Sequence, residues 1–248
     1  MASWLVGTSG FSYDGWRGFF YPPGLPRARW LDFYAREFAA LELNVTFYRT
    51  PRESTYKGWK AATGPGFSFV LKLPRLVSHI KRLADCRQEL ARFWEGAQLL
   101  GEKLAALLLQ LPPSLRFDAA LLDDFLASLP EGVPPVAWEV RHASFLADKA
   151  VAWFRKRRQP LVVADSGERY PTVLAFTALP AYLRFHGPAR LYASPYSEAQ
   201  LAGYVAWVSA NVPADGRVFG FFNNDVGGHA VANARQMRAL VAGSHTPA

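Results

Sequence analysis

Residues 104–141, LAALLLQLPPSLRFDAALLDDFLASLPEGVPPVAWEVR, decide the fold. The apolar run Leu104–Leu111 stops at Pro112-Pro113. It is far shorter than the roughly 20 residues a membrane helix needs. A helix-like stretch, Asp118–Leu129, follows with Asp at its start, where an N-cap belongs. A second β-rich run, Val136–Arg141, comes next. Strand, helix and strand in under 40 residues is one βαβ unit.

The same alternation extends in both directions. The β-rich runs are Trp4–Thr8, Leu41–Tyr48, Phe67–Leu73, Leu104–Leu111, Val136–Arg141, Leu161–Asp165, Tyr182–His186 and Val218–Asn223. Helix-like stretches lie between them at Arg29–Ala40, Arg52–Thr63, Asp85–Gly101, Asp118–Leu129, Asp148–Arg158 and Ser197–Asn211, with His229–Val241 last. Several open with Asp or Ser, as N-caps do. Residues 165–182 are too short and too Pro-punctuated for a full helix, so one helix between strands six and seven is reduced or missing. Eight strands alternating with helices in 248 residues predict an α/β protein, a (β/α)₈ TIM barrel in a single domain over 1–248. The domain proper runs from about 5 to 241, with a frayed tail over 243–248. A doubly wound open sheet is the alternative. It usually carries a Gly-rich phosphate turn after strand one, whereas Gly7-Thr8-Ser9-Gly10-Phe11 is not G-x-G-x-x-G.

Composition narrows the class. Half the residues are hydrophobic and 36 are aromatic, which excludes a disordered chain. A single cysteine, Cys86, excludes a disulfide scaffold and fits a reducing cytoplasm. Cys86 lies in a helix-like segment with no activating motif, so it is a poor nucleophile. The N-terminus has neither the basic nor the apolar region of a signal peptide. Cytoplasmic location, without membrane attachment, is the expectation. The net charge is +8, and residues 49–92 hold ten basic against three acidic side chains. A localised field points to a site.

Strand alternation supplies candidates for it. Glu42, Asn44, Thr46 and Tyr48 share one parity of strand two, and Leu41, Leu43, Val45 and Phe47 the other. Lys72 stands on the polar parity of strand three, and Gln110 beside Leu108 on strand four. Glu139 and Arg141 share a side of strand five, and strand six ends in Asp165. Tyr182, Arg184 and His186 share a side of strand seven, and strand eight ends in Asn223-Asn224. These positions gather at the C-terminal strand ends, where TIM-barrel enzymes hold their active sites. An internally paired polar network is the competing account, because three cations stand against three carboxylates. Burying that many ions for stability alone is costly.

The catalytic candidates are Glu139, Asp165, His186 and Glu42. Glu139 with Asp165, on neighbouring strands, is the better-placed carboxylate pair. His186 is a proton shuttle. Lys72, Arg141 and Arg184 are anion binders, with Asn44, Gln110 and Asn223 fixing orientation. No cofactor is expected. No metal-binding motif is present, although Glu42, Glu139, Asp165, His142 and His186 have the ligand types for a divalent metal.

Gly7-Thr8-Ser9-Gly10-Phe11-Ser12-Tyr13, with Trp16, Gly18 and Phe20-Tyr21-Pro22, resembles the opening of the YecE-like family. Glu42-Leu43-Asn44, Thr46-Phe47-Tyr48, Phe69-Val70-Leu71-Lys72 and Gln110-Leu111-Pro112-Pro113 continue the resemblance. Glu139-Val140-Arg141-His142, Arg184-Phe185-His186-Gly187 and Phe222-Asn223-Asn224 complete it, in order, from about residue 5 to 241. Val45 stands where the family usually has Ser, and Ser78 where it usually has Thr. The resemblance implies a TIM barrel and a domain of unknown function. It implies no established reaction.

Two classes of function follow. One is an enzyme, hydrolase or lyase in type, acting on a small anionic substrate at the barrel mouth. The other is a nucleic-acid-binding or nucleic-acid-processing protein. Its basic rim would be Arg49, Arg52, Lys57, Lys60, Arg75, Lys81 and Arg82, with Trp16, Phe19, Phe20, Tyr21, Tyr48 and Tyr56 as stacking faces. Aromatic packing of helices against the sheet is the ordinary alternative for those rings. Neither class implies a protein partner.

Overall fold

All eight β-rich runs form strands: β1 Ser3–Ser9, β2 Ala40–Leu43, β3 Ser68–Lys72, β4 Leu104–Gln110, β5 Val136–Glu139, β6 Val162–Asp165, β7 Ala181–Phe185 and β8 Arg217–Phe222. The structure, a computed structural model, describes residues 2–243. Of the tail expected to fray, residues 244–248 lie outside the described residues. Every strand pairing is parallel, in the order β5-β4-β3-β2-β1-β8-β7-β6. A bridge from Trp138 to Leu161 joins the two ends, and the Trp138 N–H donates to the Pro160 carbonyl at 2.9 Å. The sheet is therefore a nearly closed barrel, with β5–β6 as its thinnest seam.

The helices are α1 Trp30–Glu37, α2 Val45–Tyr48, α3 Glu53–Ala61, α4 Arg87–Ala97, α5 Ala119–Ser128, α6 Asp148–Lys156, α7 Glu198–Asn211 and α8 His229–Gly243. Asp118 caps α5 by accepting from the Ala120 and Leu121 N–H groups, and Ser197 forms a capping box with Gln200 on α7. Asp148 and Asp85 do not cap: Ala147 precedes α6 and Cys86 precedes α4. No helix forms between β6 and β7, as the Pro-punctuated spacing predicts. That connection is pinned instead by threonines. Thr172 Oγ1 donates to the Ala164 carbonyl at 2.9 Å, and Thr177 Oγ1 to the Gln159 carbonyl at 2.7 Å.

Pleating sorts the side chains into two cores. Ala40, Val70, Ala106, Leu108, Ala137, Val162, Ala164, Tyr182, Phe219 and Phe221 fill the barrel. The opposite parity meets the helices in the larger core, as Leu41, Phe69, Leu109 and Trp138 do. Gly7 is required where β1 crosses β2: a Cβ there would fall 2.0 Å from the Ala40 carbonyl oxygen. No helix among the described residues is long and apolar enough to cross a membrane.

Strand two is shorter than its composition predicts. The chain leaves β2 after Leu43, and Val45–Tyr48 curls into the helical turn α2. Thr46 Oγ1 donates to the Lys72 carbonyl at 2.6 Å, fixing this turn against the end of β3. The alternation read over Leu41–Tyr48 therefore holds only as far as Leu43.

Candidate functional site at the barrel mouth

Interior parity puts Glu42, Lys72, Gln110, Glu139, Arg184 and His186 on the barrel axis, above the apolar layers. All six are buried. Gln110 and Glu139 are register partners on adjacent strands. Arg184 sits at the centre. Its Nη2 and Nε donate to Glu42 Oε1 and Oε2 at 2.6 and 2.9 Å, and its Nη1 donates to Glu139 Oε2. Tyr182, two residues earlier on the same face, donates its hydroxyl to Glu42 Oε2 at 2.6 Å. Arg141 holds the other side of Glu139, with Nε and Nη2 at 2.9 and 2.8 Å from Oε1. The Arg141 guanidinium lies over the Tyr170 ring, 4.4 Å from its centroid.

Two guanidinium groups thus neutralise two carboxylates. Burial alone would raise both carboxyls. The Arg184 charge outweighs that effect and holds Glu42 below the ordinary carboxylate range. Arg184 and Arg141 together hold Glu139 well below it. Neither carboxylate is a proton donor near neutrality. His186 is kept neutral by burial and by the Arg184 charge, which lower its pKa. Its Nε2 lies 3.3 Å from Arg184 Nη1, and its Nδ1 meets the Asn223 amide at 3.1 Å.

Lys72 is different. Its Nζ hydrogen-bonds Gln110 Oε1 and stands 4.0 Å from the centroid of the Phe47 ring, with no carboxylate in ion-pair range. Burial, with the nearby Arg184 charge, pushes its pKa down to about 7 from an ordinary 10.5. Close by, His79 sits in a π-helical turn over Leu76–Ile80, with its ring against Phe47. Burial and the Lys72 charge push its pKa down to about 4. At the end of β2, the Asn44 Oδ1 atom is buried without a hydrogen-bond donor.

Asp165 is not part of this cluster. Val162 and Ala164 face the barrel, so the pleat turns Asp165 outward. Its carboxylate accepts from the Tyr204 hydroxyl of α7 at 2.7 Å and from the Gly167 N–H at 3.0 Å. The pairing of Glu139 with Asp165 is therefore absent. His142 also turns away: its Nδ1 accepts from the Ser144 N–H at 3.0 Å. Among the described residues no three or more metal-capable side chains converge. Arg184 is likewise turned into the network, where its Nε, Nη1 and Nη2 each donate to a carboxylate.

The basic stretch divides. Lys60 lies at the far end of α3, paired with Glu102 just before β4 and so on the opposite face of the barrel. Lys57 pairs with Glu53 on the outside of α3, and Lys81 pairs with Glu89. Arg82 donates to Ser114 beyond β4. Arg49, Arg52 and Arg75 are exposed. Arg49, Arg75 and Arg92 line a groove of about 380 Å³ with Tyr48, Leu76 and Ile80, just outside Phe47. Of the expected stacking faces, Trp16, Phe20, Tyr21 and Tyr56 are buried in the core, with Tyr21 stacked on Trp30. Phe19 and Tyr48 remain exposed.

Three participants were not singled out from sequence. Tyr182 had a signal, because it shares the strand-seven parity of Arg184. Phe47 and His79 had none, because the α2 turn and the π-turn that aim them are set by tertiary hydrogen bonds and packing.

These features define a parallel TIM barrel with a buried, charge-balanced mouth and one lysine outside the balance. The family model for DUF72, a protein of unknown function, matches residues 5–248, and the chain belongs to that family. UPF0759 protein YecE from Escherichia coli strain K12 is 33% identical over 118 residues, which cover 47% of this chain and 43% of that protein. The matched stretch is thus less than half of that relative. A DUF72 family protein of Thermotoga maritima MSB8 superposes with a TM-score of 0.87 and 29% identity, over 97% of this chain and 99% of the other. A DUF72 family protein of Enterococcus faecalis V583 gives a TM-score of 0.83 at 21% identity, over 96% and 95%, and shows the shared fold.

Proposed function

We propose that this protein is an enzyme that binds a small anionic substrate at the barrel mouth and acts on it by lyase-type chemistry. One observation carries the reading. Lys72 is the charged group of the mouth left without an ionic partner, while Glu42 and Glu139 are each saturated by arginine. With Lys72 in its ammonium form the mouth carries one uncompensated positive charge, which a bound anion would balance. Arg141 Nη1 makes no hydrogen bond among the described residues and is the second donor for it. Hydrolysis by a carboxylate pair is disfavoured, because both carboxylates are held ionised and neither can protonate a leaving group. His186 and Asn223 orient the far side of the substrate. The test is a thermal-shift and calorimetric screen of small carboxylates and phosphate esters. Binding should be lost in Arg141→Ala and Lys72→Met. Equal binding by both variants would place the site elsewhere.

The groove favours a second reading. Arg49, Arg75 and Arg92 line it without a side-chain hydrogen bond among the described residues, and Tyr48, 76% exposed, offers a stacking face. That combination suits a phosphate track with a base. Single-stranded oligonucleotides should then bind with an affinity that falls steeply with salt. Absence of binding at low salt would remove this reading.

A further inference from the structure

We propose that Lys72 is a carbonyl-reactive amine, which condenses with the aldehyde or ketone carbon of a small oxo acid to form an imine. The proposal deepens the anion-binding reading of the mouth and rests on it. Four observations converge. Every carboxylate oxygen near the lysine is already bonded: Glu42 Oε1 to Arg184, Glu42 Oε2 to Arg184 and Tyr182, Glu139 Oε1 to Arg141 and Glu139 Oε2 to Arg184. No carboxylate therefore stands within ion-pair distance of the Nζ, and burial with the Arg184 charge outweighs the longer-range pull of Glu139 and Glu42 toward the ammonium form. The Nζ faces the Phe47 ring, and its side chain is almost wholly out of water. Gln110 Oε1 accepts one N–H and so holds the nitrogen in place, leaving its lone pair two of the three staggered directions. Asn44 Oδ1, at the end of the neighbouring strand β2, is a buried acceptor without a donor. A lysine desolvated beside other cations is an activated nucleophile.

The step balances without any oxidant or reductant. The Nζ lone pair attacks the carbonyl carbon, and the C=O π pair moves to oxygen. A proton passes from nitrogen to that oxygen, giving a carbinolamine. The hydroxyl takes up a proton from solvent, the C–O bond breaks, water leaves, and the nitrogen lone pair closes the C=N bond, giving the imine protonated at nitrogen. Protonated at nitrogen, the imine accepts the electron pair released when an adjacent C–C or C–H bond breaks. That is the lyase-type outcome.

The experiment traps the imine by reduction. The intact protein is incubated with pyruvate, or separately with acetaldehyde, in the presence of sodium cyanoborohydride. The modified lysines are located by peptide mass spectrometry. The expected result is an adduct at Lys72 with occupancy about tenfold above any other lysine at neutral pH, as a desolvated amine requires. Lys72→Met and Lys72→Arg should give only background. An adduct spread evenly over the lysines, or absent from Lys72, overturns the proposal. Lactate, which has no aldehyde or ketone carbon, separates the two readings. Lactate binding that Arg141→Ala abolishes, without trapping by pyruvate, retains the anion site and removes the imine. Trapping by acetaldehyde without lactate binding retains the amine chemistry and removes the anion site.

Discussion

Arg184 on β7 and Glu42 on β2 meet across the barrel interior in a two-point ion pair, with Nη2–Oε1 at 2.6 Å and Nε–Oε2 at 2.9 Å. Strands β1 and β8 lie between their own strands in the sheet. The pair therefore spans the lumen, and Glu139 joins it from β5. A buried ion pair of this kind is costly to break from one side, because the partner is left charged and dry.

Arg184→Met should accordingly destabilise the fold by about 3–5 kcal/mol. It leaves Glu42 with only the Tyr182 hydroxyl. Arg184→Met combined with Glu42→Gln should recover part of that loss, because the orphaned charge is gone. Urea unfolding of the three variants checks both statements. A double variant as unstable as the single one would mean that the ion pair is not the source of the cost.

Stability should depend on pH in two separable windows. Glu42 and Glu139 are depressed in the folded state, so their contribution is complete above their ordinary value near 4.5 and is lost as pH falls through the lower folded values. His186, also depressed, adds a fall that begins below its ordinary 6.5, because the unfolded chain takes up that proton first. Lys72 acts in the alkaline window. Between about 7 and 10.5 the unfolded lysine holds a proton that the folded one has released, so its contribution to stability rises with pH. Lys72→Met should remove that rise and leave the acid limb in place. Chemical denaturation at a series of pH values reads both limbs.

Asp165→Asn separates the outward residue from the mouth. The substitution weakens the bond from the Tyr204 hydroxyl, at a cost of about 1 kcal/mol. Lactate binding should be unchanged. Glu139→Gln, which removes the charge that anchors Arg141, should weaken binding. Calorimetric titration of both variants decides the point.

The sequence made much of this site legible through strand parity alone. Gln110, Glu139, Arg184 and His186 all face the lumen as alternation requires. Asp165 was legible as a strand end but not as an outward one. Its strand holds only small apolar neighbours, Val162, Val163 and Ala164, so no amphipathic pattern marks the face. The β-branched and aromatic run Val45–Tyr48 reads as strand. It becomes a turn because Thr46 finds the Lys72 carbonyl, a partner 26 residues away. Lys60 lies near the rim in sequence and far from it in space, because α3 carries the chain from one end of the barrel to the other. Pairing was invisible for a similar reason. The sequence contains three cations near two lumenal carboxylates, and only geometry shows that Lys72 is the one left over.

The central claim is that Lys72 is a desolvated amine without a counter-ion. Its titration is measured most directly by NMR of the side-chain ammonium and Cε–Hε signals, with Lys72→Arg used to assign them. The account predicts a midpoint near 7. A midpoint close to that of a free lysine, about 10.4, would contradict it.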